Sequence, residues 1–399
     1  MGKIGVFGGS FNPPHLGHML AARELKESLG LFRVILVPAA APPHKKLPAG
    51  SPDAATRLEL LRAASASLPG AEVSDIELRR EGPSYTADTL RALSAVYPGE
   101  QLVLLMGTDM FLTLDTWYRP EEICRFAAIA TAHREADNAA LHARIAEQAE
   151  KLRSQFGAEV FVADNRFLDV SSTTVRRMLR FECAESYLDP AVLAVIREKG
   201  LYGVGESLKG LPFVELRRVS LALLKEKRVA HVIGCCETAV KLARRWGANE
   251  EDAARAGILH DVTKALDYNA QLLLCGKYGI IIDDFERKNW KLLHSRTGAA
   301  VARHIFGEND AVCDAIYWHT TGRANMTLLE KILYIADYME PNRDFPGVEK
   351  LRALTEIDLD AAMLCGFQMS IDLLESEGKA LGTDTVQARD FLLKERNQA

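Results

Sequence analysis

Up to about residue 200, short apolar runs alternate with longer stretches of helical period. The runs KIGVFGG (3–9), FRVILVPA (32–39), EVSDIEL (72–78), QLVLLMG (101–107), AAIATAH (127–133) and AEVFVAD (158–164) read as strands. Between them LAARELKESLG, SPDAATRLELLRAASASL, YTADTLRALSAVYP and DNAALHARIAEQAEKLRSQFG read as amphipathic helices. Strands alternating with helices predict an α/β, doubly wound parallel sheet of the Rossmann-like kind. Beyond GLYGVGESLKGLPF (200–213) the strand signal fades and helical periodicity dominates, for instance in RVAHVIGCCETAVKLARRWG, EEDAARAGILH, LLHSRTGAAVARHIFG, NDAVCDAIYWHT and LLEKILYIADYM. Gly247 then closes one helix and Asn249 caps the next. The expected organisation is an α/β domain over 1–203, a glycine-rich linker over 204–212 and an all-α domain over 213–399.

A length of 399 residues agrees with two domains. With 48% hydrophobic and 26% charged residues, the composition is that of a soluble globular chain. A net charge of −5 argues against a polybasic surface for nucleic acid or membrane, so neither is expected as a partner. No apolar run is long enough to span a bilayer, and MGKIGVFGG lacks a secretory apolar region. Seven cysteines without CxxC spacing suggest reduced thiols and a cytoplasmic location. None of this selects a chemistry or an oligomeric state.

Chemistry enters with GGSFNPPHLGH (8–18), which follows the first strand directly. Gly8, Gly9, Ser10 and Phe11 form the strand-to-helix turn, where backbone N–H groups can approach a polyphosphate. His15 and His18 stand at the start of the next helix and can donate to phosphate oxygens. The prolines stiffen the turn between them. Lys45 and Lys46 add positive charge after the second strand. Far along the chain, DVSSTTVR (169–176) places Ser172, Thr173 and Arg176 at another helix start, able to clamp the same triphosphate. Each piece alone has a bland reading: a serine cluster is usually a cap, and two histidines can be a structural pair. Their combination and order are more specific.

At these residues the chain resembles the nucleotidyltransferases with their H-x-G-H signature and, with SYTADTL (84–90) and GTDMFLTLDTWY (107–118), the bacterial nicotinate-nucleotide adenylyltransferases. The resemblance covers roughly the first 200 residues. It implies transfer of AMP from ATP, carrying Mg2+, to nicotinate mononucleotide, with deamido-NAD and pyrophosphate as products. It further implies that His15 and His18 stabilise charge on the transferring phosphoryl group, that Ser10, Thr173 and Arg176 hold the triphosphate, and that Thr86 and Asp109 position substrate and ribose. Trp117 would stack on the nicotinate ring.

The helical half carries a second constellation. His231, the adjacent His260 and Asp261, His294, His319 and Asp337 lie on or at the ends of successive predicted helices. Imidazole and carboxylate suit iron, manganese or zinc, and inward-facing side chains of several helices can build a metal site. Neighbours on a regular helix diverge by about 100°, so His260 and Asp261 share one centre only if they close their helix. By contrast, His304 reads as a structural histidine and Cys235 as a buried thiol.

RVAHV (228–232), ILHDVTK (258–264), LLHS (292–295), YWHTTG (317–322) and YIADYMEPNRDF (334–345) resemble the HD phosphohydrolase superfamily and, more narrowly, symmetrical diadenosine tetraphosphate hydrolases. The resemblance implies a two-metal site, with iron as the metal and Asp261 bridging. It implies Lys264 near the leaving phosphate, Thr320, Thr321 and Arg343 on nucleotide phosphates, and diadenosine tetraphosphate as substrate. Two other readings stay open for this half: hydrolysis of another nucleotide, or a nucleotide-sensing regulatory module.

Overall fold

Six strands form one parallel sheet: β1 (Lys3–Gly9), β2 (Arg33–Pro38), β3 (Ala71–Val73), β4 (Gln101–Leu105), β5 (Ala127–Ala132) and β6 (Val160–Ala163). Their spatial order is β3-β2-β1-β4-β5-β6. β1 pairs with β2 on one side (Val6 opposite Ile35) and with β4 on the other (Val6 opposite Leu104). The computed structural model describes residues 2–43, 46–132, 138–163 and 170–398. The chain divides into two units, Met1–Glu206 and Ser207–Ala399.

Parallel strands covered on both faces should read as continuous apolar runs, and β5 is buried at all six positions. One face packs Ile4, Val6, Ile35, Leu104 and Ile129 against Leu90 and Leu93 of the helix Thr86–Val96 and Ile145 and Leu152 of the helix Ala139–Phe156. One expected strand is cut short. EVSDIEL contributes little more than its first two residues to β3, which lies at the sheet edge. From Asp75 the backbone closes into a turn, with Leu78 and Arg79 N–H groups donating to the Asp75 carbonyl at 2.9 and 3.2 Å. Pairing on one side only does not outweigh that local hydrogen bonding.

Among the described residues of the second unit, every regular element is a helix. The helix Glu226–Trp246 ends at Gly247 (φ +82°), and Asn249 caps Glu250–Leu259 by accepting from the Asp252 N–H at 3.0 Å. The two helices lie so close that a Cβ at Gly257 would stand 2.6 Å from the Cys236 Cα. The run LLHSRTGAAVARHIFG is not one regular α-helix. It is α-helical over Leu293–Val301, and a wider turn over Ala302–Phe306 follows, stopped at Gly307 (φ +74°).

The glycine-rich stretch between the halves is tied down on either side of the division. Arg180 donates to the Gly203 carbonyl at 2.7 Å and pairs with Glu206 at 2.9 Å. Beyond it, the Gly210 N–H donates to the Phe306 carbonyl at 3.2 Å, and Arg255 donates to the Leu211 carbonyl at 3.1 Å. All seven cysteines are free thiols. Among the described residues no helix is long and apolar enough to cross a membrane.

Candidate functional site

In a doubly wound sheet the ligand crevice opens where strand order reverses, at the carboxyl ends of the central strands. Here that point lies between β1 and β4, and a cavity of about 560 Å³ opens there. Gly8, Gly9, Ser10, His15, His18, Thr86, Asp109, Trp117, Ser172, Thr173 and Arg176 all line it. Lys45 lies outside the described residues. Phe11 is buried behind the turn, edge-on to the His18 ring with centroids 5.1 Å apart, so it supports the histidine from below the cavity wall. A Cβ at Gly8 would meet nothing within 4 Å, so the strand end faces open space.

Local chemistry explains the placement. His15 is the N-cap of the helix Leu16–Ser28, and its backbone N–H donates to His18 Nδ1 at 3.2 Å. With Nδ1 accepting, a neutral His18 carries its proton on Nε2 and can donate from there. The ring centroids of His15 and His18 lie 3.6 Å apart, the planes tilted by 31°. The distant helix Ser172–Arg180 is fastened to the same turn: Ser172 Oγ donates to the Pro13 carbonyl at 2.9 Å, and Arg176 to the Asn12 carbonyl at 2.6 Å and Thr173 Oγ1 at 3.0 Å. Two helix N-termini therefore border one cavity. Trp117 packs partly against the core and donates to Thr113 Oγ1 at 3.3 Å.

In the second unit the six candidate residues His231, His260, Asp261, His294, His319 and Asp337 meet. The helix Glu250–Leu259 stops with His260 as its C-cap, which lets His260 and Asp261 turn to one centre. His260, His294 and His319 each approach the carbonyl three residues back through Nδ1: Gly257 at 2.8 Å, Lys291 at 2.5 Å and Ile316 at 2.6 Å. A carbonyl only accepts, so Nδ1 carries the proton and Nε2 presents a lone pair. His231 meets a carboxylate there instead, Nδ1 standing 3.1 Å from Glu340 Oε1.

The four Nε2 atoms converge. His231 and His260 stand 3.3 Å apart, His294 and His319 3.2 Å apart. His231 Nε2 is 3.0 Å from Asp337 Oδ1. Asp261 lies between the pairs: Oδ2 is 3.7 and 3.6 Å from His231 and His260, and Oδ1 3.2 and 4.0 Å from His294 and His319. Burial holds His260 and His294 well below the ordinary imidazole range and pushes His319 down to about 3, so the rings stay neutral. Lone pairs then face lone pairs and carboxylate oxygens at contact distance, and Asp261 Oδ1 is buried without a hydrogen bond. Cations relieve that arrangement, so the donor set fits divalent metal. Ligand atoms of His231, His260 and Asp337, and of His260, Asp261 and His319, fall within 4.8 Å of one another.

Neighbouring residues take different places. Lys264 Nζ is 2.9 Å from His294 Nε2 and 3.7 Å from Asp261 Oδ1, at the cluster itself. Arg343 grips Asp337 at 2.8 Å. Thr320 and Thr321 line a separate cavity of about 220 Å³ with Ser295, Tyr317 and Trp318. His304 stacks on Tyr278 away from the cluster, and Cys235 is a buried thiol.

Residues 6–178 match the cytidylyltransferase-like family, and residues 228–342 match the HD domain family. A probable nicotinate-nucleotide adenylyltransferase of Gloeobacter violaceus is 40% identical over 208 residues, spanning 51% of this chain and 97% of that protein. The chain belongs to the nicotinate-nucleotide adenylyltransferase family. Its second half carries an HD domain, and there a symmetrical bis(5'-nucleosyl)-tetraphosphatase of Halalkalibacterium halodurans is 40% identical over 174 residues, spanning 43% of this chain and 92% of that protein. A solved structure from Clostridium acetobutylicum, described as a predicted HD superfamily hydrolase involved in NAD metabolism, shares 37% identity over 46% of this chain and 98% of that one, with a TM-score of 0.45.

Sequence reasoning missed three residues of these sites. In the adenylyltransferase unit, Arg57 is 1% exposed and donates to the carbonyls of Ser10 (2.8 Å) and Ala40 (3.3 Å), holding the turn after β1 from behind. Its signal was a charge at 57 on the apolar face set by Leu60, Leu61 and Ala64. In the HD unit, Arg228 pairs with Asp261, and Glu340 meets His231. Arg228 precedes His231 by three residues and Glu340 follows Asp337 by three, which puts each on the helical side of a cluster residue.

Proposed function

We propose that the adenylyltransferase unit transfers AMP from ATP to nicotinate mononucleotide, and that the HD unit hydrolyses diadenosine tetraphosphate to two ADP. For the first reaction, the carrying observation is the cavity at the β1/β4 reversal, bordered by two helix N-termini and the open backbone of Gly8. A phosphate oxygen of the mononucleotide attacks the α-phosphorus of ATP, the bond to the bridging β-phosphate oxygen breaks, and pyrophosphate leaves. The Mg2+ that ATP carries supplies charge neutralisation. His18, with its proton on Nε2, and His15 stabilise the charge gathering on the transferring group, while Ser10, Thr173 and Arg176 hold the triphosphate. Thr86 and Asp109 position the acceptor, and Trp117 covers the pyridine. Positioning and electrostatics suffice, and no side-chain nucleophile is needed.

For the second reaction, the carrying observation is the convergence of four Nε2 atoms and two carboxylates on one buried point. His231, His260 and Asp337 would hold one metal and His294 and His319 a second, with Asp261, which lies between the two pairs, available to both. Bound there, the metals, which we take to be iron, supply Lewis acidity to the phosphate and to the attacking water. Water adds across the central phosphoanhydride: its oxygen joins one phosphorus, the bridging oxygen leaves with the other half, and a proton completes each ADP. Arg228 and Arg343 restrain Asp261 and Asp337, Lys264 neutralises the leaving phosphate, and Thr320 and Thr321 face the nucleotide.

One anaerobic preparation tests both halves by product chromatography. Deamido-NAD from ATP and nicotinate mononucleotide, reduced about 10²–10³-fold in His18→Ala, is the expected result for the first unit. Equal use of nicotinamide mononucleotide would refute the acceptor assignment. Two ADP from diadenosine tetraphosphate, absent in Asp261→Ala, is expected for the second. Intact substrate with metal fully loaded would refute it and leave another nucleotide or a sensing role.

A further inference from the structure

Three of the four histidines are oriented by backbone carbonyls. Only His231 is oriented by a carboxylate, and the local structure is built around that carboxylate. Glu340 is 1% exposed. Its Oε1 receives His231 Nδ1 at 3.1 Å, and its Oε2 accepts from the Asn342 backbone N–H at 2.7 Å and from Asn342 Nδ2 at 2.8 Å. Asn342 is itself anchored by donating to the Ala230 carbonyl at 3.1 Å, and Arg352 holds the Glu340 carbonyl at 2.8 Å. Space for the carboxylate comes from the helix opposite. A Cβ at Gly234 would run into Glu340 Oε2 and stand 3.0 Å from Asn342 Nδ2. Gly234 lies inside the helix Glu226–Trp246, where glycine costs helix stability, so its absence of side chain serves the carboxylate.

A carboxylate behind an imidazole raises ligand basicity and fixes the ring more firmly than a carbonyl does. The other half of the cluster has no such support, since His294 and His319 meet only the Lys291 and Ile316 carbonyls through Nδ1. We propose that Glu340, seated by Gly234 and Asn342, is the positioning residue of His231, and that it makes the His231/His260/Asp337 half bind metal more tightly than the His294/His319 half. The two sites therefore fill in order. This rests on reading the cluster as a metal centre, and not on which phosphoanhydride it cleaves.

The test is calorimetric titration of the metal-free full chain with Co2+ under anaerobic conditions, with no substrate present. Two unequal binding steps are expected, and Glu340→Gln should weaken the tighter step about 10–100-fold while leaving the weaker one within a few-fold. Gly234→Ala supplies an independent arm. It should raise helix propensity and yet weaken the same step, by displacing Glu340. A structural role alone would move thermal stability and binding together, whereas the positioning role separates them. Two equal steps in the parent chain, or wild-type binding in both variants, would overturn the proposal. Parallel weakening of both steps in Glu340→Gln would overturn it as well. If Glu340→Gln failed to fold, Gly234→Ala would still decide. Loss of hydrolysis with this binding pattern intact would count against the substrate assignment alone.

Discussion

The contact between the helices Glu226–Trp246 and Glu250–Leu259 supports a quantitative prediction, because two opposed effects of known size meet at Gly257. Alanine there would gain about 0.8–1 kcal/mol of helix propensity. Its methyl would also stand 2.6 Å from the Cys236 Cα and 3.2 Å from the Cys236 N and Cβ. Cβ contacts normally lie beyond 3.4 Å, and the obstacle here is backbone, so the helices must part by roughly 1 Å. Overpacking of this kind costs about 1–3 kcal/mol, with the upper half expected where no side chain can rotate away. The net effect is destabilisation by about 1–2 kcal/mol. For a unit of this size that lowers Tm by about 2–8 °C. The same displacement carries His231, on one helix, away from His260, at the end of the other, across a present Nε2–Nε2 distance of 3.3 Å. Gly257→Ala should therefore lose bound metal as well as stability. Differential scanning calorimetry of the metal-free chain, with metal analysis of the loaded one, checks both. A Tm that rises as propensity alone dictates, with metal retained, would refute the reasoning.

Three further outcomes are expected. Gly8→Leu should fill the cavity end of β1, abolishing measurable ATP binding while leaving unfolding by denaturant nearly unchanged, since a Cβ there meets nothing within 4 Å. Arg57→Met should leave the Ser10 and Ala40 carbonyls unpaired, costing about 2–4 kcal/mol in equilibrium denaturation and lowering adenylyl transfer as the turn relaxes. Asp358 pairs with Arg396 through both oxygens (2.7 and 2.8 Å) and caps the helix Leu359–Ser376, and the Arg396 guanidinium pulls its carboxyl down to about 2. A depressed carboxylate stabilises above its unfolded pKa, near 3.9, so the contribution should fade as pH falls from about 4 to 2. Asp358→Asn keeps a good N-cap and should remove that limb of the pH–stability curve, modestly because the pair is exposed to solvent.

Strand and helix alternation, the turn GGSFNPPHLGH and the six metal-type residues were legible without coordinates because each depends on local pattern. A parallel strand buried on both faces must be apolar throughout, and glycines at a strand end mark a backbone left open to approach, as at Gly8. Less was legible where pairing or packing decides. EVSDIEL alternates well enough for a strand, but at the sheet edge the Asp75 turn prevails. The helix Tyr268–Tyr278, capped by Asp267 and stopped by Gly279, hides around the apolar run LLLC (272–275), which has no clear period. Arg57, Arg228 and Glu340 carried only a weak signal, a charge at helical spacing from something important.

By itself, then, the sequence determined the residue types that each chemistry requires and the order of elements that carries them. Tertiary structure alone decided which of those residues meet. It brought Ser172 and Arg176 onto the Pro13 and Asn12 carbonyls across more than 150 residues, and it closed one helix at His260 so that Asp261 could lie between two histidine pairs. It also placed the Glu340 carboxylate behind His231 Nδ1 from more than 100 residues away, whereas the other three imidazoles meet the carbonyl three residues back and owe that contact to local backbone.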